Sequence, residues 1–67
     1  MLWFYQKHDA RLHYEIRRQA DSDDYEIVIT HPTGHQEVER YADSHQLLKR
    51  SQTLQQILRS SGWQPLG

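Results

Sequence analysis

Histidines are the side chains with the most chemistry to offer in this sequence, because five occur among 67 residues. His31 and His35 flank a Pro-Thr-Gly turn, where both imidazoles can project on one side as a pair of metal ligands. A zinc site needs three or four protein ligands, so a third would have to come from Glu37 or a distant residue. The spacing matches no complete metal motif. We therefore predict that His31 and His35 are exposed turn residues and that the chain holds no metal.

The other polar candidates form no catalytic or cation-binding set. The acidic segment 21–24, DSDD, lacks the glycine and the distal glutamate of a complete calcium loop. A nucleophile with its base and orienting acid needs a pocket, which one helix on one small sheet rarely encloses. The remaining histidines, without a visible partner in the sequence, are His8, His13 and His45. We expect no enzymatic activity and no cofactor.

Basic side chains suggest an alternative function, which is binding to nucleic acid. The candidates on the polar face of the last helix and on the strands are Lys49, Arg50, Arg59, Arg11 and Arg17. Three charges over eleven helical residues make no dense basic stripe. The segment 21–42 carries six acids and one base, a poor footprint for a phosphate backbone. Nucleic-acid binding therefore remains the second choice.

Length and composition limit the class of protein. A chain of 67 residues predicts one small domain, 1–67, near the lower size at which a single core is sufficient. The sequence has no cysteine, so neither disulfides nor a thiolate zinc site add stability, which fits a reducing compartment. No apolar run approaches the ~20 residues of a membrane span. We expect a cytoplasmic domain that does not enter a membrane.

Alternation of apolar and polar residues predicts four strands. The runs RLHYEIRR and YEIVITH place their apolar side chains on one side and their polar ones on the other. Pro32 and Gly34 fit a tight turn after the second of these runs. Short connections make sequential strands antiparallel neighbours. The expected strands lie near residues 2–7, 11–19, 25–31 and 35–42.

A long periodic segment at the end of the chain predicts a helix near residues 44–61. Asp43 can cap its first turn, and Gly62 suits the left-handed residue that follows its last one. Trp63 would then fold back onto Leu58. The apolar positions that share one helical stripe are Leu47, Leu54, Ile57 and Leu58.

Together these elements predict an α+β fold, in which a four-stranded antiparallel β-meander carries one C-terminal α-helix packed across one face. The core should lie between the helix and the alternating apolar positions of the strands. Its expected members are Trp3, Tyr5, Leu12, Tyr14, Ile16, Tyr25, Ile27, Ile29, Leu47, Leu54, Ile57, Leu58 and Trp63.

One strand register satisfies most of the cross-strand pairs. Placing Ile16 opposite Ile27 aligns the apolar residues of the second and third strands and predicts an outer ladder of Arg17, Glu26 and Arg40. The same register turns Glu37 and Glu39 of the fourth strand toward the helix. Inward charges can protect an edge strand from pairing with another molecule. A register shift of one residue is the alternative.

The sheet face that the helix leaves uncovered is the predicted site. One helix covers one side only, while the first strand is apolar on both sides. The residues expected to bind a partner there are Leu2, Phe4, Val28 and Val38. A contiguous group of exposed apolar residues indicates a partner surface. The preferred interpretation is a small protein-interaction module that forms a homodimer or binds another protein.

Overall fold

Five strands and one helix make up residues 1–66, the part of the chain that the computed structural model describes. The elements in chain order are β1 (Leu2–Lys7), β2 (Ala10–Arg18), β3 (Tyr25–Thr30), β4 (Gln36–Tyr41), α1 (Ser44–Ser60) and β5 (Gln64–Leu66). The strands form one antiparallel sheet with the order β4-β3-β2-β1-β5. The α+β fold, with a β-meander followed by a helix, is confirmed.

A short fifth strand adds to the predicted four. After Gly62 the chain returns along β1, and the Lys7 ammonium donates a hydrogen bond of 2.6 Å to the Ser61 carbonyl where α1 ends. β5 then pairs with β1, Phe4 opposite Leu66. Pro65 is tolerated because β5 is an edge strand. Three residues around a proline have no alternation to detect, so the sequence did not indicate this strand.

The predicted strand register is confirmed. Ile16 lies opposite Ile27, and Val28 lies opposite Val38. No shift of one residue occurs in β4, so Glu39 does project to the helix side, where its carboxylate meets the Arg50 guanidinium. The inward acidic side chain is therefore paired with a cation of α1.

Both ends of α1 are capped as the sequence predicts. The Asp43 carboxylate accepts a hydrogen bond of 2.9 Å from the His45 backbone N–H. Gly62 has a φ of 91°, and the Trp63 N–H donates to the Leu58 carbonyl at 2.9 Å. This six-to-one bond closes the helix and directs Trp63 back toward the core.

The core lies between α1 and one face of the sheet. Trp3, Ile16, Tyr25 and Trp63 pack against it and are partly buried. The residues that are buried in it are Tyr5, Leu12, Tyr14, Ile27, Ile29, Leu47, Leu54 and Leu58. These positions agree with the predicted core except that Tyr41, which was not predicted, also packs against it, and that one predicted helical residue lies outside it.

Ile57 was placed in the core wrongly, since 49% of it is exposed. The buried stripe of α1 runs through Leu47, Ser51, Leu54 and Leu58, and Ile57 lies about 100° around the helix from the last of these. Ser51 takes a central place in the stripe because its hydroxyl is 3.1 Å from the buried Tyr14 hydroxyl. A small polar residue thus occupies a position where the apolar pattern of the helix would predict a large apolar residue.

Candidate functional site

The sheet surface opposite α1 has no covering layer among residues 1–66. We call it the open face. It consists of the even-numbered positions of β1, β3, β4 and β5 and the odd-numbered positions of β2, because directly paired residues share a face. The open face is thus a candidate binding surface.

Three apolar side chains form a contiguous group at one side of the open face. Leu2 and Phe4 are alternate residues of β1, and Leu66 of β5 lies directly opposite Phe4. Their exposed fractions are 51%, 46% and 42%. We call Leu2, Phe4 and Leu66 the β1–β5 cluster. Leu66 was absent from the predicted site because nothing in the sequence placed it beside Phe4.

The predicted valines do not join this cluster. Val38 is 53% exposed but belongs to β4, three strand spacings or about 14 Å from β1. Val28 is only 4% exposed. It lies on central strand β3 with Glu15 and Val38 as its cross-strand neighbours. The structure therefore divides the predicted site into an exposed cluster, a separate exposed valine and a covered one.

Charged side chains of both signs share the open face. Arg17 bonds Glu15 on its own strand, although Glu26 is its cross-strand neighbour. The Gln19 amide donates to Glu26 instead. The predicted ladder of Arg17, Glu26 and Arg40 is present as a strand register, but neither arginine forms an ion pair with Glu26.

His13 lies at the centre of the open face. It belongs to β2, the third of the five strands, between Phe4 on β1 and Thr30 on β3. The His13 and Phe4 ring centroids are 5.4 Å apart with an interplanar angle of 39°. His13 is partly buried. The imidazole therefore connects the β1–β5 cluster to the polar part of the surface.

The five basic residues of the nucleic-acid alternative do not form one surface. Arg50 is bound to Glu39 on the helix side of the sheet, and Arg17 is bound to Glu15 on the open face. Arg11 lies on the open face, whereas Lys49 and Arg59 belong to α1. The two arginine–glutamate pairs and this division between opposite sides reduce the positive charge available to a phosphate backbone.

Glu39, which the sequence predicted to face the helix, accepts three hydrogen bonds from neighbouring side chains. Arg50 donates to its two oxygens at 2.8 and 2.9 Å, and the Tyr41 hydroxyl donates to Oε1 at 2.8 Å. The hydrogen bonds from Arg50, more than that from Tyr41, hold the pKa of Glu39 below its ordinary value, although burial opposes them. The pKa of Tyr41 is raised, first by burial and then by its bond to Glu39.

The histidines at the β3–β4 turn lie close together; His35 is exposed as predicted, whereas His31 is half-buried, so the prediction that it is exposed was wrong. The ring centroids of His31 and His35 are 5.8 Å apart, and His31 Nε2 lies 3.3 Å from a Glu37 oxygen. No group of three His, Cys, Asp or Glu side chains within residues 1–66 has an arrangement that could hold a metal ion. Their observed contact is a histidine–carboxylate pair at the end of an edge strand.

The surface depressions lie away from the centre of the open face. One depression of about 480 Å³ lies between the β1–β2 turn and β5, and the residues that line it include His8, Gly62 and Leu66. Another of about 490 Å³ lies along the loop at residues 18–23. Both are open to solvent and hold no triad of nucleophile, base and acid.

Comparison of the chain with protein-family models, with curated proteins and with solved structures finds no match. No helix within the described 1–66 has the length and apolar character needed to cross a membrane.

Proposed function

We propose that this protein is a non-enzymatic protein-interaction module that forms a homodimer through its open face. The observation that carries the proposal is the β1–β5 cluster, three contiguous apolar side chains that are about half exposed on a sheet face without a covering layer. Exposed apolar groups of this kind mark interaction surfaces more often than isolated apolar residues do.

The shape of the molecule supports an uncovered face. Its accessible surface is 4909 Å², whereas a compact monomer of this mass exposes about 4,500 Å². Its radius of gyration is 12.3 Å, against about 11 Å for a compact chain of this length. The molecule is elongated, with extents of 38, 22 and 19 Å, and a second layer on the open face would lower its ratio of surface to volume.

The edges of the sheet are poor alternatives to its face. On edge strand β4, Glu37 and Glu39 point to the helix side. In an antiparallel β4–β4 pair centred on Val38, Glu37 of each copy would lie opposite Glu39 of the other copy, and the two negative charges would repel. The other edge, β5, has three residues, and Pro65 removes one backbone donor. Association through edge-to-edge hydrogen bonds is thus disfavoured on both sides.

Charge favours a second copy as the occupant of the open face. Arg11, Arg17 and Arg40 share the face with Glu15 and Glu26, so a copy related by a two-fold axis can place opposite charges together. A surface of one sign would repel its own copy. The whole chain has a net charge of −1, which opposes association little. Two-fold symmetry is the commonest arrangement of identical chains.

The size of the face predicts a weak dimer. Five strands about 4.8 Å apart and about 20 Å long give a projected area of roughly 480 Å² per copy. Two copies would bury about 1,000 Å² in total, the lower limit for a specific interface. We therefore expect dissociation in the micromolar range, and a monomer at high dilution.

Sedimentation velocity of the wild type and two matched variants tests the proposal. Phe4→Glu places a charge inside the β1–β5 cluster, whereas Leu48→Glu places the same charge at an apolar residue of α1 that is 58% exposed. We expect the wild type and Leu48→Glu to shift from monomer toward dimer between about 5 and 500 μM, as a micromolar constant requires. Phe4→Glu should stay monomeric.

Two outcomes would contradict the proposal. A wild type that sediments as a monomer at every concentration would remove self-association. A dimer that Phe4→Glu leaves unchanged would place the interface away from the open face. Far-ultraviolet circular dichroism of the three proteins shows whether a monomeric variant is still folded.

A further inference from the structure

We propose that acidification dissociates this homodimer, with His13 as the residue that senses pH. The inference rests on the proposed function and adds its regulation. Its basis is the position of the only histidine on the open face within residues 1–66, at the middle of the five-stranded sheet and against the Phe4 ring. A face-to-face partner that covers Phe4 also covers His13.

The other histidines lie elsewhere. His8 is in the β1–β2 turn, and His31 and His35 flank the β3–β4 turn. His45 is in the first turn of α1. None belongs to the open face, so their protonation would not place a charge in the centre of the interface.

The groups around His13 do not supply a free carboxylate. On β2 its same-face neighbours are Arg11 and Glu15, and Glu15 is already bonded to Arg17. The facing positions on the two adjacent strands are uncharged: Leu2, Phe4 and Gln6 on β1, and Val28 and Thr30 on β3. The charge nearest to His13 that is not paired within the described chain is thus the positive charge of Arg11.

The sign of the pH effect follows from this environment. An imidazolium buried by a partner loses its hydration, and no unpaired carboxylate lies beside His13 on its own sheet to offset that loss. It must therefore release its proton to be covered, or the two copies must separate. Because imidazoles change charge between about pH 5 and 8, the neutral form present at the upper end of that range favours the dimer.

Sedimentation of the wild type at about pH 7.5 and pH 5.5 measures the effect. With one His13 in each copy, we expect the dissociation constant to rise roughly tenfold or more at the lower pH. His13→Gln removes the titrating group and keeps a polar side chain. His13→Thr does the same with a residue that suits a strand. Both variants should dimerise with the same constant at the two pH values.

His45→Gln is the control, since it removes a histidine outside the open face, and it should keep the pH dependence of the wild type. A wild-type dimer with equal constants at both pH values would overturn the inference and leave the proposed function standing. Equal pH dependence in the wild type and in both His13 variants would also overturn it. A wild type that is monomeric at both pH values would overturn the proposed function as well.

Discussion

Arg50 of α1 holds Glu39 of β4 by two hydrogen bonds, Nε to Oε1 at 2.8 Å and Nη2 to Oε2 at 2.9 Å. Both side chains are largely shielded, with exposed fractions of 30% and 27%. This planar two-point contact joins the second turn of the helix to an edge strand. It therefore explains how β4 can direct an acidic side chain toward the helix without a register shift.

Removing one partner of this pair should destabilise the fold measurably. We expect Arg50→Met to lower the free energy of unfolding by about 1 to 2 kcal/mol, because Glu39 then keeps a charge in a shielded place with the Tyr41 hydroxyl as its remaining donor and no counter-charge. Urea denaturation of Arg50→Met, Glu39→Gln and the double variant gives the coupling energy, roughly 1 kcal/mol.

Arg18 and Asp23 provide the matched control for that measurement. Their contact of 3.0 Å is solvent-exposed, with exposed fractions of 64% and 96%. Arg18→Met should therefore cost under about 0.5 kcal/mol. Equal losses in the two arginine variants would show that shielding of the Glu39 pair has no energetic consequence.

The same pair predicts a loss of stability in acid. The hydrogen bonds from Arg50 hold the pKa of folded Glu39 below its ordinary value of 4.5. The folded state therefore binds this proton less readily than the unfolded state does. The resulting stabilisation is complete above about pH 4.5 and is lost as the pH falls through the lower, folded-state pKa. Urea denaturation between about pH 6 and pH 2.5 measures it, and Glu39→Gln should show a shallower decline than the wild type. Parallel curves would contradict this prediction.

Leu54 and Ile57 should respond differently to truncation, although the sequence pattern treats them alike. Leu54 is 6% exposed in the core, whereas Ile57 is about half exposed. Leu54→Ala should cost roughly 2 to 5 kcal/mol, enough to unfold much of so small a domain. Ile57→Ala should cost under about 1 kcal/mol, as surface changes do. Thermal and urea unfolding compare the two. A loss under about 0.5 kcal/mol for Leu54→Ala would remove Leu54 from the core.

Nucleic acid should not bind at physiological salt. Arg50 and Arg17 are occupied by glutamates, and the other candidate cations are divided between α1 and the open face. Contacts to phosphates weaken steeply as salt rises because counterions are released on binding. Fluorescence anisotropy with labelled mixed-sequence DNA and RNA should show no saturation. Salt-sensitive micromolar binding that is weakened in Arg59→Glu would make nucleic-acid binding the better function.

Most of the fold was predictable because period-two alternation and helix caps are local signals. The pairing of Ile16 with Ile27 follows from which side chains alternate, and the end of α1 follows from Gly62 and Trp63. Ile57 was misplaced because a stripe of apolar residues does not show how narrow the contact with the sheet is. Ser51 fills the centre of that contact through its bond to Tyr14, which depends on an element far away in the sequence.

The site was less predictable than the fold. Leu2 and Phe4 follow from alternation on β1, but Leu66 joins them only through the pairing of β5 with β1. That pairing depends on where the chain emerges after α1. The burial of Val28 depends on the side chains that surround it on a central strand. The position of Leu66 beside Phe4 and the burial of Val28 both depend on segments that are distant in the sequence, so a local pattern cannot predict them.

The pairing of β5 with β1 also affects the order in which the molecule assembles. Strands β1 to β4 each pair with a neighbour across a short connection, whereas the β1–β5 pair joins the two ends of the described chain across all the intervening strands and the helix. Contacts between distant parts of a chain carry the larger loop-closure cost and form late. A chain that is still folding therefore lacks Leu66 beside Phe4, so its association surface is completed only when the last strand docks.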